Sequence, residues 1–96
     1  MSVVSYLKLA PKPEFRAQFE RELQELLGLV RQQAGFVQVE VLRPTDDANA
    51  YVILSEWESE AVFKEWEHSL RHQAIMDDYN QRTGQGYTKM RLDRYR

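Results

Sequence analysis

The chain of 96 residues predicts an α+β fold, a four-stranded antiparallel sheet with both helices on one face. Three observations lead there. Strand-type alternation occurs at Val3–Leu9, Phe36–Leu42, Tyr51–Glu58 and Tyr87–Tyr95. Helix-type spacing separates the first strand from the second and the third from the fourth. The resulting order, β-α-β-β-α-β, has two crossover helices and one hairpin, which lets all four strands join one sheet in the ferredoxin-like arrangement.

The first strand, "VVSYLKL", puts Val3, Ser5, Leu7 and Leu9 on one face and Val4, Tyr6 and Lys8 on the other. "APKP" ends it, and Pro13 suits the first position of a helix because its missing N–H has no partner there anyway. Phe15, Phe19, Leu23, Leu26 and Val30 then recur at helical spacing. Gly28 interrupts that helix and reads as a close backbone contact, while Gly35 sits where a left-handed residue turns the chain. In the second strand Val37, Val39 and Val41 alternate toward the core, and "RPTDDANA" is a polar loop before "YVILSEWE". Ser59 caps the second helix, with Glu60 favourably placed in its first turn. On an unbroken helix Val62, Phe63, Trp66 and Leu70 share a stripe, and Ser69 marks a bend or restart that runs to about Tyr79. "NQRTGQG" breaks the chain again. In the last strand Thr88, Met90 and Leu92 alternate with Lys89, Arg91 and Asp93.

With both helices on one face, the other face of the sheet is bare. Tyr6, Gln38, Glu40, Tyr87 and Tyr95 are expected there, a mixture that suits neither core nor plain solvent. A second copy laid sheet to sheet would cover it, so a homodimer is expected. A chain this small buries only roughly 60–65% of its unfolded surface, which favours pairing.

Composition narrows the function. Thirteen basic and fifteen acidic residues leave a net charge of −2, which argues against nucleic acid, whose phosphates demand a concentrated basic surface. The nearest basic cluster, Lys89, Arg91, Arg94 and Arg96, is interrupted by Asp93. Cysteine is absent, so disulfides, thiolate nucleophiles and cysteine metal sites are excluded. No apolar run reaches the ~20 residues of a membrane span, and the N-terminal stretch lacks signal-peptide features. The expectation is one cytoplasmic domain over residues 1–96, with no membrane partner.

The chemistry-bearing residues concentrate in "EWESEAVFKEWEHSLRHQ", Glu56 to Gln73. By periodicity Trp66 faces the sheet, as core or as the wall of a pocket for a flat ligand. Trp57 packs against the start of the same helix. His68 falls on the solvent side with Lys64, Glu65 and Glu67. His68 and His72 have the i, i+4 spacing of helical metal sites, but no third ligand is spaced to join them. A bend at Ser69 would turn His72 to the pocket mouth as a proton carrier. "GQG" at Gly84 to Gly86 precedes a strand and is a turn rather than a phosphate cradle.

"AGFVQVEVLRP" at Ala34–Pro44, "YVILSEWESEAVFKEW" at Tyr51–Trp66 and "PEFRAQFE" at Pro13–Glu20 resemble the antibiotic biosynthesis monooxygenase family, including its haem-degrading branch. The resemblance implies a dimeric α+β barrel with a ligand cavity between sheet and helices. It also implies oxidation of aromatic polyketides or quinols by O₂ without metal or flavin, or, in the other branch, haem binding and ring opening. That branch uses an asparagine, a tryptophan and a histidine. Their positions fall on Leu7, Trp66 and Ile75 or Met76, so only the tryptophan is kept and iron is left without a ligand.

The resulting expectation is a cofactor-independent monooxygenase acting on a small flat aromatic or quinol-like molecule. Trp66 forms a wall, Leu7, Val39 and Ile75 exclude water, and Ser5, Ser55 or His72 takes a proton. The alternatives are a ligand-binding or sensing module that keeps the cavity without the chemistry, and a haem protein.

Overall fold

The computed structural model describes residues 2–93. Strands β1 (Val3–Pro11), β2 (Phe36–Leu42), β3 (Tyr51–Trp57) and β4 (Gly84–Leu92) form one antiparallel sheet in the order β2-β3-β1-β4. Helices α1 (Arg16–Val30), α2 (Glu60–Glu67) and α3 (Leu70–Asp78) complete the α+β, ferredoxin-like fold. A 3₁₀ turn at Pro13–Phe15 leads into α1, and a π turn at Tyr79–Thr83 follows α3. Tyr95, Arg94 and Arg96 lie outside the described residues.

Register decides which side chains meet the helices. Val3 pairs with Trp57, Ser5 with Ser55, Leu7 with Ile53 and Leu9 with Tyr51, so this set shares the inner face. Phe19, Leu23, Leu26, Leu27 and Val30 of α1 are buried over it. Two apolar clusters result. One joins Leu9, Phe19, Leu23, Leu27, Tyr51, Ile53 and Tyr79, and the other joins Val3, Leu26, Val30, Trp57, Phe63 and Trp66.

Four expectations change. A bulge between Phe36 and Gln38 makes Val37 the extra residue. Val37 is therefore 48% exposed, and Phe36 packs edge-on to Trp57 instead. The Ser59 cap and the restart at Ser69 are as expected, with Ser59 Oγ accepting from Val62 N and Ser69 Oγ accepting from His72 N to start α3 afresh, but Leu70 leaves the Val62–Phe63–Trp66 stripe. That restart turns Leu70 outward, 86% exposed. In β4, Tyr87 pairs with Leu9, Lys89 with Leu7 and Arg91 with Ser5. Tyr87 thus lies on the inner face, and Met90 and Leu92 join Tyr6 and Leu54 on the bare one. Finally, Gly28 has nothing within 4 Å of where a Cβ would stand, so no close contact explains it. Gly35 does turn left-handed, at φ +78, and a Cβ there would meet Val62 Cγ2 at 2.6 Å.

Candidate functional site

The two clusters do not close completely over the middle of the sheet. Between them lies a cavity of about 340 Å³, within the range of small-molecule sites. Its deep walls are hydrocarbon: Leu26, Leu27 and Val30 from α1, Leu7, Val39 and Ile53 from the sheet, and Phe63 and Trp66 from α2. Trp66 is held flat against Trp57, rings 6.3 Å apart and 24° from parallel, and Trp57 is in turn flanked by Phe36 and Phe63. An aromatic stack fixed this way makes a rigid wall, and with Trp66 only 6% exposed a narrow strip of its indole borders the cavity.

Ser5, Leu7, Val39, Ser55, Trp66 and His72 are brought together on this cavity. Ile75 is not. The new helix start at Ser69 sets the phase of α3 so that Ile75 packs with the Trp57 cluster and a minor cleft, and Met76 takes the cavity position.

Two polar features stand in the lining. On the sheet, Ser5 and Ser55 are directly opposed across β1 and β3. Trp57 Nε1 donates to Ser55 Oγ at 3.0 Å, two residues along the same strand face. On α3, the imidazole of His72 meets the Trp66 ring edge-on, centroids 5.0 Å apart. Burial pushes the His72 pKa below its usual 6.5, a shift that outweighs the Glu67 charge and a hydrogen bond to the Glu67 backbone, while Lys89 acts in the same direction as burial. His72 is therefore neutral at pH 7. A neutral imidazole keeps one unprotonated nitrogen, which can serve as a base.

The mouth carries the charges. The Glu67 carboxylate pairs with Lys89 at 3.3 Å and Arg91 at 3.0 Å, and Arg91 also reaches Glu60 at 3.4 Å. The Arg91 guanidinium lies over the Phe63 ring, 5.0 Å from its centre. These pairs tie both ends of α2 to β4. His68 is exposed at the same mouth, beside Gln73, Asp77, Asn80 and Tyr87. Among the described residues no group of three or more His, Asp or Glu is arranged to hold a metal ion, and no helix is long and apolar enough to cross a membrane.

Sequence reasoning missed Tyr87, Met76 and the Glu67–Lys89–Arg91 cluster. The last joins positions 22 and 24 residues apart, and only the parity of β4 could have revealed it.

The structure is a ferredoxin-like sheet with a largely apolar, tryptophan-walled cavity beneath its helices. The profile of the family described as antibiotic biosynthesis monooxygenase matches residues 2–78, and the chain belongs to that family. Solved structures agree in fold. A conserved protein from Methanosarcina mazei Go1 superposes with a TM-score of 0.89 at 15% identity, covering 99% of this chain and 94% of that one. Rv0793 from Mycobacterium tuberculosis gives 0.88 at 14% identity, covering 100% and 97%. SnoaB from Streptomyces nogalater, a cofactor-independent oxygenase seen in a mutant form, gives 0.84 at 17% identity, covering 99% and 94%.

Proposed function

We propose that this protein oxidises a flat aromatic or quinol-like molecule with O₂, without a bound cofactor, and does so as a homodimer. The observation that carries the reading is His72, its pKa lowered by burial, held edge-on to Trp66 between the apolar deep walls of the cavity and its polar mouth. An electron-rich ring stacked along Trp66 brings an acidic C–H or O–H toward the free imidazole nitrogen. His72 takes that proton, and the resulting anion gives one electron to O₂ in a dry site. Recombination of the radical pair forms a C–O–O⁻ peroxide, which is protonated from His72. Loss of water then leaves a carbonyl. For a ring methylene the balance is R₂CH₂ + O₂ → R₂C=O + H₂O. For a quinol it is hydroxyquinone plus water. The resemblance of this chain to a family with such members, and the fold shared with SnoaB, support the reading.

Anthrone and 1,4-naphthohydroquinone under isotopically labelled O₂ test it. We expect oxygen uptake, one labelled oxygen in the product, and loss of turnover on the order of 10²-fold in His72→Ala. Ligand-dependent melting without oxygen uptake would instead favour a binding or sensing module, a reading supported by the small number of polar groups on the deep walls, Ser5 and Ser55.

Haem fits poorly. Leu7 and Ile75 put hydrocarbon at two of the three positions used by the haem-degrading branch, and the Ile75 side chain packs away from the cavity. We expect a haem titration to give weak binding without a histidine-type spectrum, and no ring opening with ascorbate and O₂. A tight complex whose histidine-type spectrum vanishes in His72→Ala would reverse this.

A further inference from the structure

On the central strands β1 and β3 the cavity floor is apolar except for two serine hydroxyls, Tyr87 and Lys89 lying at the β4 edge. Ser5 and Ser55 are register partners, so their Cβ atoms stand about 4.5–5.5 Å apart. Ser55 is 9% exposed, and its Oγ is an acceptor, from Trp57 Nε1 at 3.0 Å. That is the only side-chain hydrogen bond of Ser55 among the described residues, and the Ser5 side chain makes none. Both hydroxyl protons are therefore unspent, and both side chains line the same cavity. Ser5 is half-buried and open to the cavity, and Ser55 Oγ already has Trp57 Nε1 as a donor, so both hydroxyls are free to turn a proton toward an acceptor that arrives with a ligand.

We infer that Ser5 and Ser55 form a two-donor subsite for one oxygen of the substrate, a ring carbonyl or the oxyanion that develops from it, with Trp57 as the residue that positions Ser55. The inference deepens the monooxygenase reading and rests on it for the identity of the cavity. It also reverses the role expected of these serines, which give hydrogen bonds rather than take protons. Because Trp57 Nε1 occupies one lone-pair direction of Ser55 Oγ, the Ser55 proton is confined to the remaining directions. Donation from Trp57 also polarises the hydroxyl and strengthens it as a donor.

The pair constrains the substrate class. The hydroxyls lie on the strands, whereas the base, His72, lies on α3 against the opposite wall. A molecule served by both carries its acceptor oxygen on one edge of the ring system and its acidic hydrogen on another. Anthrones and 1,4-quinols have that layout; catechols, with adjacent oxygens, do not. In an anthrone, when His72 removes the ring-methylene proton, the negative charge moves through the ring onto the carbonyl oxygen held by the serines, where two donors aimed at it lower the barrier. In a 1,4-quinol the charge stays on the deprotonated oxygen and the ring carbons, and the serines hold the second oxygen.

Bound 1,4-naphthoquinone gives a readout independent of turnover, its carbonyl stretch in the infrared. In wild type we expect one of its two carbonyl bands to shift to lower frequency on binding. Ser5→Ala and Ser55→Ala should each reduce that shift and weaken binding by roughly 3- to 10-fold. Ser55→Thr, which keeps the hydroxyl on a residue suited to a strand, should restore it, and Trp57→Phe should reduce it if that variant folds. Anthrone turnover should fall in Ser55→Ala through kcat more than KM, on the order of 10²-fold, and 1,4-naphthohydroquinone should be preferred to catechol. A carbonyl shift unchanged in both serine-to-alanine variants, or a wild type that does not bind the quinone, would overturn the subsite. A serine-dependent shift without oxygen uptake would keep the subsite and remove the monooxygenase reading. Oxygen uptake that depends on His72 but not on either serine would do the reverse.

Discussion

His72 carries the most specific consequences of any single residue. Its pKa is lowered by burial, so activity that depends on the free base should rise with pH through a value below 6.5 and be flat at neutrality. Stability follows the same shift. Below 6.5 the unfolded chain binds a proton more readily than the folded one, so stability declines as pH falls from 6.5 toward the lowered native value and levels off beneath it. Denaturant titrations across that window should show the decline in wild type and a smaller one in His72→Gln. His68 is the contrast: it is exposed, so His68→Ala should change stability by no more than about 0.5 kcal/mol either way. A loss beyond ~2 kcal/mol would mean that α2 presents a different face. The residues of β1 and β3 that line the cavity were legible in the sequence because alternation fixes their face once one neighbour is placed. Ile75 and Met76 were not, since one residue of helix phase exchanges them and the phase is set by the Ser69 hydroxyl.

At the scale of elements, the two glycines near α1 make opposite claims on the chain. Gly35 combines φ +78 with Val62 Cγ2 at 2.6 Å from a would-be Cβ, so Gly35→Ala should lose about 2–4 kcal/mol from backbone strain and overpacking together. Gly28 lies inside α1 with open space around it, and Gly28→Ala should gain about 0.5–1 kcal/mol. Urea unfolding of both variants checks the pair; a destabilising Gly28→Ala would reveal a need for that glycine which the helix packing does not. Ser69→Ala removes the cap that starts α3 and should lose about 1 kcal/mol, with the carbonyl and activity readouts of the cavity altered as His72 shifts. Helix starts were readable because a serine before an apolar run has a local cause. Strand parity was less so: the bulge at Val37 and the inward turn of Tyr87 arise from pairing with distant strands, which local alternation does not encode.

Over the whole molecule, the bare sheet face carries Leu54, Tyr6 and Met90 in register across β3, β1 and β4, with Leu92 opposite Val4 and with Gln38 and Glu40 on the flanking strand β2. Met90 and Leu92 are exposed in the single chain. An apolar centre with a polar margin is what a self-complementary interface presents, and we expect sedimentation at micromolar concentration to give a dimer mass. Leu54→Glu, at the centre of that face, should shift the protein to monomer. A monomeric wild type would remove the homodimer from the proposed function. Element order in the sequence already implied a bare face, since two crossovers on one side leave the other empty. Its composition was only partly legible, because the parity of β4 decides whether Tyr87 or Met90 faces outward.

The bulge at Val37 acts on β2 like a corrected reading frame. Phe36 and Val39 are an odd number of positions apart, yet both face the helices, and only the unpaired Val37 reconciles them. Removal of Val37 would leave Gln38 opposite Glu56, Val39 opposite Ser55 and Val41 opposite Ile53, as they are now. Removal of Val39 would use up the spare residue differently, because Val37 would then pair with Glu56 and the Gln38 amide would take the place opposite Ser55 on the cavity floor. The chain thus holds one residue of slack at a defined point, and a deletion is harmless or damaging according to whether it falls on that point.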